Sequence, residues 1–208
     1  MDTSKRKTHW ERVYETKQDH QVSWYQEKPE LSLEFVRKYL HKKEAPAIDI
    51  GGGNSRLTEL LAREGYTGFS VLDISAAALE RTKAKLGTQA TQIKWIVSDI
   101  LAFNPSEKFA LWHDRATFHF LTDEKDIEKY VEIAANAIMP GGVLVLATFA
   151  TSGPPKCSGL EITQYSAATA EKTFAKYFNL LESREAVHQT PFDSEQNFIY
   201  NIFERQPE

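Results

Sequence analysis

The stretch Ala47-Ile48-Asp49-Ile50-Gly51-Gly52-Gly53-Asn54-Ser55 decides how this chain folds. Its first four residues are apolar apart from one acid, the composition of a strand covered on both faces of a parallel sheet. Three glycines follow; they permit a sharp turn and let backbone N–H groups come close to a ligand. Asn54 or Ser55 is placed to cap a helix whose N-terminus carries partial positive charge. Together these parts suit a nucleotide site. They also suit an ordinary strand-to-helix turn, so the neighbouring segments decide.

Downstream, strands and helices alternate. A helix over 55–64 carries Leu57, Leu60 and Leu61 as one stripe and stops at Gly65. A strand over 69–72 ends at Asp73, and Ser75 caps a helix that runs to Leu86. Further strands are predicted over 93–97, ending near Asp99, and over 109–113. A long helix over 123–138 turns Ile127, Val131, Ala134, Ala135 and Ile138 inward. Met139-Pro140-Gly141-Gly142 then leads into an apolar strand over 143–148. Such alternation implies right-handed βαβ units and a doubly wound α/β sheet. After a helix over 167–177, the strands over 179–183 and 198–205 have no helix between them. With 187–197 read as a turn-rich loop, they predict an antiparallel hairpin closing a parallel sheet.

Upstream, Thr8 is read as the N-cap of a helix over 8–17, with Trp10 and Tyr14 on one face. Residues 22–26 are aromatic-rich, and Leu31, Phe35, Val36, Tyr39 and Leu40 repeat at helical spacing. One domain is expected: a helical and aromatic cover over 1–45, a core over 46–149, a lid over 150–165, and a C-terminal helix and hairpin over 166–208. The 150–165 segment, with Gly153-Pro154-Pro155 and Gly159, has the length of a binding loop.

The 208 residues carry a net charge of −4, 41% hydrophobic and 26% charged residues, the balance of a globular protein. That charge is not the basic footprint of a nucleic-acid binder. No apolar run has the length of a membrane span. A single cysteine, Cys157, and an N-terminus without an apolar signal segment point to a reducing, cytoplasmic location. The histidines lack metal-ligand spacing, so no metal is expected.

In open α/β sheets ligands lie beyond the carboxyl ends of the strands. The polar groups there are Asp49, the glycine turn, Asp73, Asp99, His113-Asp114-Arg115 and residues 148–151. Asp73 lies about twenty residues past the turn, where an acid either accepts from both hydroxyls of a ribose or caps the next helix. Asp99 either accepts from an exocyclic amine or closes a turn. Asp49 either faces a cationic group or braces the glycines. A nicotinamide cofactor calls for G-x-G-x-x-G, but Arg56 stands where the third glycine belongs. S-adenosylmethionine has no pyrophosphate, and its amine and sulfonium suit an acid-rich rim.

The order Asp49-x-Gly51-x-Gly53, Asp73, Asp99 and Met139-Pro140-Gly141-Gly142 resembles the class I S-adenosylmethionine-dependent methyltransferase superfamily. The match runs from about residue 46 to the C-terminus. The resemblance implies a mostly parallel seven-stranded sheet with an antiparallel last strand, and S-adenosyl-L-methionine as cofactor. It implies Gly51 and Gly53 against the methionyl part, Asp73 on the ribose, and Asp99 with Ile100 around the adenine; Asp49, Gly52 and Ile74 are also expected among the cofactor-binding residues. Small members also close an N-terminal helix and aromatic residues over the cofactor. Trp24 and Tyr25 are expected in that role; Trp10 and Tyr14 belong either to it or to the core. An aromatic face can hold a sulfonium by cation–π attraction.

Methyl transfer depends chiefly on alignment, with a base needed where the nucleophile arrives protonated. The candidates are His113, Asp114 and His119, and residues 114–119 are the expected substrate wall. The Asn/Asp-Pro-Pro-Tyr/Phe signature of nucleic-acid amino methyltransferases is absent. The wall is similar to that of thiopurine- and metalloid-type methyltransferases. It is also similar to protein-lysine methyltransferases carrying Asp-Lys-Gly-Thr-Leu/Phe-Asp, but His119 replaces their final acid. A small-molecule acceptor is therefore expected, a thiol or another soft nucleophile, with no nucleic-acid or membrane partner. Cys157 either binds a soft metalloid or is a small loop residue. A protein lysine is the alternative acceptor, and a nicotinamide oxidoreductase or a non-catalytic binding module the alternative class.

Overall fold

Ala47–Ile50 form strand β1, an interior strand of a seven-stranded sheet. The computed structural model describes residues 3–207. Around β1 the chain supplies helices α1 (Thr3–Thr16), α2 (Glu30–Tyr39), α3 (Arg56–Arg63), α4 (Ala76–Leu86), α5 (Glu124–Ala137) and α6 (Ala167–Phe174). The other strands are β2 (Phe69–Asp73), β3 (Lys94–Val97), β4 (Phe109–Arg115), β5 (Ile138–Phe149), the short pair β6 (Lys156–Cys157) and β7 (Leu160–Glu161), β8 (Phe178–Gln189) and β9 (Glu195–Arg205).

The sheet order is β3-β2-β1-β4-β5-β9-β8. β1 pairs in parallel with β2 and β4, and β4 with β5. β9 alone runs against its neighbours, lying between β5 and β8. Strand order reverses between β1 and β4, which opens a crevice at their carboxyl ends. Successive residues of a strand face opposite sides. Ile48, Ile50 and Trp112 therefore pack under α5 with Tyr130 and Val131, while Ala47 and Leu111 pack under α2 and α3 with Phe35, Leu57 and Leu61. Burying one such large side chain contributes about 2–3 kcal/mol.

Helix α1 is fastened over the crevice by charge. The Glu11 carboxylate accepts from the Ser75 hydroxyl at 2.8 Å and from the Ala76 and Ala77 N–H groups at 2.9 and 3.2 Å. These are orphan donors at the positive end of α4. Arg6 pairs with Asp99 at 3.1 Å and Asp126 at 3.3 Å.

Several boundaries differ from those expected. α1 begins at Thr3, so Thr8 is inside the helix, and its hydroxyl donates back to the Ser4 carbonyl at 2.9 Å. A threonine hydroxyl serves as a cap or in this back-bonded role, and sequence does not distinguish them. β8 and β9 extend through most of residues 187–197, leaving a turn at 190–194. There the Thr190 hydroxyl accepts from the Phe192 and Ser194 N–H groups at 3.2 and 3.3 Å. α6 ends at Phe174 rather than 177, and β5 begins at Ile138, before the glycine pair. The expected lid contains the β6–β7 hairpin. Among the described residues, no helix is long and apolar enough to cross a membrane.

Candidate active site

The glycine turn is shaped by close approach. Gly51 has φ +66°, and a Cβ there would overlap the Thr117 hydroxyl. Its N–H donates to the Leu72 carbonyl at 2.7 Å. Gly53 lies against α4, where a Cβ would come within 2.5 Å of that of Ala78. The Gly53 N–H donates to Asp73 Oδ2 at 3.0 Å, and the Ser75 N–H donates to Oδ1 at 2.8 Å. Asp73 is thus the pin between the turn and α4. Burial raises its pKa to about 6; the Asp49 and Glu11 charges add to the rise, while the two N–H donors oppose it. Ser55 caps α3 by accepting from the Leu57 N–H at 3.1 Å, and Ser75 caps α4 as expected.

Two clefts open at the strand ends. The larger spans about 800 Å³, including space open to solvent. Asp73, Ile74, Asp99 and Ile100 contribute to its wall, with an aromatic group opposite them in sequence origin: Trp10 and Tyr14 of α1, Trp24 and Phe120. Trp10 stands edge-on to Phe120 at 5.1 Å and to Trp24 at 5.7 Å. Such pairs contribute about 0.5–1.5 kcal/mol beyond area burial. The smaller cleft, about 520 Å³, is lined by Tyr25, Ser32, Asp49, Gly52, Arg56 and His113 among others. Trp24, Gly51 and Arg115 belong to both. Tyr25 therefore lines the smaller cleft rather than joining Trp24 over the larger one. Asp99 Oδ1 accepts from the Leu101 N–H at 2.9 Å while Oδ2 meets Arg6. No cluster of three metal-ligating side chains occurs among the described residues.

The three expected bases are not brought together, and strand alternation is the reason. His113 and Asp114 are adjacent in β4 and face opposite sides. His113 Nδ1 lies 2.7 Å from Asp49 Oδ1, and its Nε2 lies 2.9 Å from the Ser32 hydroxyl, which is 3.3 Å from the Tyr200 hydroxyl. This buried chain braces Asp49. Asp114 points into the α5 side, accepting from the Tyr130 hydroxyl at 2.6 Å and from the Thr117 and Phe118 N–H groups. Burial raises its pKa to about 6. It shapes the turn after β4 and lines neither cleft, which corrects its placement as a base. His119 is fully buried beside Phe149, whose N–H reaches its Nδ1 at 3.4 Å. Burial, with Arg115 nearby, lowers its pKa to about 3, so it is uncharged and also lines neither cleft. Sequence reading passed over Arg6 and Phe120 as site residues; Arg115, Ala116 and Thr117 of the expected 114–119 wall do line the larger cleft.

Residues 47–142 match a family described as "Methyltransferase domain". The matched residues are a methyltransferase domain of the class I S-adenosylmethionine-dependent kind. It is 29% identical over 121 residues to the eEF1A lysine and N-terminal methyltransferase of Mus musculus, covering 57% of this chain and 17% of that protein. It is 28% identical over 109 residues to malonyl-acyl-carrier-protein O-methyltransferase 1 of Ilyobacter polytropus, covering 52% of this chain and 39% of that protein. The chain thus spans well under half the length of either relative. Among solved structures, the N-methyltransferase NodS of Bradyrhizobium japonicum, in complex with S-adenosyl-L-homocysteine, has a similar fold. Its TM-score is 0.69 at 18% identity, over the full length of both chains. These matches set aside a nicotinamide oxidoreductase.

The residues of this methyltransferase fit its cofactor. Asp73 lines the larger cleft with a buried carboxylate whose two oxygens each accept one backbone N–H. Gly51 leaves backbone, not side chain, at the junction of the clefts. Asp49 lines the smaller cleft with an acid suited to an ammonium group, and Arg56, whose Nε makes no hydrogen bond and lies 3.6 Å from the Glu59 carboxylate, provides a cation there.

Proposed function

We propose that this chain transfers a methyl group from S-adenosylmethionine to a small-molecule acceptor. One observation carries the reading: a single cleft is shared by the acids at the ends of β2 and β3 and by a roof of aromatic side chains from α1, Trp24 and Phe120. Asp73 would hold the ribose hydroxyls, Asp99 and Ile100 the adenine, and Asp49 with the glycine turn the methionyl end. When bound, the cofactor supplies a sulfonium methyl group, which passes to the acceptor's lone pair as the C–S electron pair stays on sulfur.

The chain's own part is to align and to exclude water. Trp10, Tyr14 and Trp24 cover the reacting region and present ring faces suited to a cation. No histidine lines the larger cleft, so the acceptor's nucleophile arrives with an available lone pair, as a thiolate or another soft nucleophile does. Cys157 lines this cleft, but burial raises its pKa to about 11, which keeps it a neutral wall. A protein lysine is a poorer acceptor. Asp99 is already paired with Arg6, and Arg115 adds positive charge at the junction of the clefts.

Calorimetry with S-adenosyl-L-homocysteine tests the donor site. Binding is expected in the wild type and at least about tenfold weaker in Asp73→Ala; absence of binding in the wild type overturns the reading. Labelled methyl donor offered with thiols, amines, small acids and metalloid oxyanions then tests the acceptor class. Transfer to lysate proteins alone overturns the small-molecule assignment.

A further inference from the structure

Arg115 ends β4 where the two clefts meet. Its Nη1 donates to the Trp24 carbonyl at 3.0 Å, and its guanidinium carbon stands 4.5 Å from the centre of the Phe198 ring. Nε and Nη2 are buried and have no hydrogen-bond partner. A guanidinium carries its charge permanently and offers its donors in a rigid fork that matches a carboxylate. Among the described residues no acid pairs with it. The titratable groups that feel it are neutral instead: His119 and His188, whose pKa values burial lowers to about 3 and about 4, and Cys157. A buried charge without a counter-charge is costly to the fold. Such a group, lining a cavity, marks the place of an anion.

Two carboxylates could reach it, one on the methionyl tail of the donor and one on the acceptor. The donor's tail has its own cation in Arg56, beside the glycine turn and the N-terminus of α3. Arg115 instead faces the C-terminal half of the molecule: Phe198 on β9, His188 on β8 and Cys157 on the β6–β7 hairpin. Resting on the methyltransferase reading above, we propose that Arg115 is a specificity residue that anchors a carboxylate of the acceptor. The acceptor class is then a small organic acid with an apolar or aromatic body, fitted to the Trp10, Trp24 and Phe120 rings. The guanidinium touches the acceptor's anchor and takes no proton from the reacting atom.

The test uses the full chain saturated with S-adenosyl-L-homocysteine and reads tryptophan fluorescence. Benzoate, phenylacetate and hexanoate are titrated in parallel with their carboxamides. In the wild type at least one acid is expected to bind about tenfold or more tightly than its amide. That preference is expected to vanish in Arg115→Met and to persist in part in Arg115→Lys, while S-adenosyl-L-homocysteine affinity stays within about twofold. The wild-type comparison of acid with amide does not depend on either variant folding. Equal binding of acid and amide, or binding of neither, overturns the proposal. A tenfold loss of S-adenosyl-L-homocysteine affinity in folded Arg115→Met also overturns it, because the guanidinium would then serve the donor. If the wild type binds no S-adenosyl-L-homocysteine, the methyltransferase reading itself fails.

Discussion

Asp73 makes donor binding depend on pH, and the size of the effect follows from its surroundings. Burial together with the Asp49 and Glu11 charges lifts its carboxyl from 3.8 to about 6. Because the folded pKa is above the unfolded one, the proton favours the fold. Stability therefore falls as pH rises from about 4 through about 6, and the penalty, about 3 kcal/mol, is complete above that window. Ribose hydroxyls donate to the ionised carboxylate, so donor binding runs the other way. With a pKa of about 6, roughly nine molecules in ten are ionised at pH 7 and one in ten at pH 5. S-adenosyl-L-homocysteine affinity is expected to fall about tenfold between those values, or about 1.4 kcal/mol. Glu11 does not cause this change. Burial opposes its ionisation, but the Ser75, Ala76 and Ala77 donors hold its pKa below the usual glutamate value, so it stays charged. Asp73→Asn is expected to bind at least about tenfold more weakly at pH 7 and to show no such slope. Calorimetry at both pH values on both proteins decides it. A wild-type affinity that does not change, or an Asp73→Asn variant that keeps the slope, refutes the assignment of Asp73 to the ribose.

Gly51→Ala combines a left-handed backbone with overlap on Thr117; urea denaturation is expected to show a loss of about 2 kcal/mol or more, and an unchanged midpoint would show that the turn relaxes freely. His113→Ala removes the partner of both Asp49 and Ser32 inside the core, and a loss of about 3 kcal/mol is expected in the same assay. Glu11→Gln removes the charge that caps α4 and fastens α1, so cleavage within residues 3–16 under limited proteolysis is expected to speed up, with a stability loss of about 1 kcal/mol. The lowered pKa of Glu11 gives the sign of its pH effect: its contribution is present at neutral pH and is lost as pH falls through the folded value.

Most of the fold was legible because β1 and β2 are short, apolar and each followed by a helix with a serine cap. Ser55 and Ser75 cap where the sequence placed them, and Gly51, Gly52, Asp73 and Asp99 reach the clefts, while Gly53 packs against α4 and lines neither. The length of β8 was not legible. It is an edge strand whose side chains alternate between partly buried and exposed, and Glu182, Arg184 and Glu185 hide that alternation among charges. The base candidates were misjudged for a different reason. His113, Asp114 and His119 were candidates because they lie beyond or at the end of β4, whereas alternation along β4 divides the first two between opposite faces. Arg115 was legible as part of the 114–119 wall, but not as an unpaired charge, because that is a property of surroundings: its significance lies in the acid that is not beside it.

The place of β9 has a consequence for how the protein is made. β5 includes the uncharged run from Val143 to Phe149, and β9 covers its open edge across all seven positions. β9 leaves the ribosome after the other six strands of this sheet, and β8, synthesised just before it, has no partner until it arrives. During synthesis the nascent chain thus presents a long apolar edge with unpaired N–H and C=O groups, a template for pairing with other chains. Chaperone demand and inclusion-body formation should accordingly track the delay between residues 149 and 205 rather than the stability of the finished sheet.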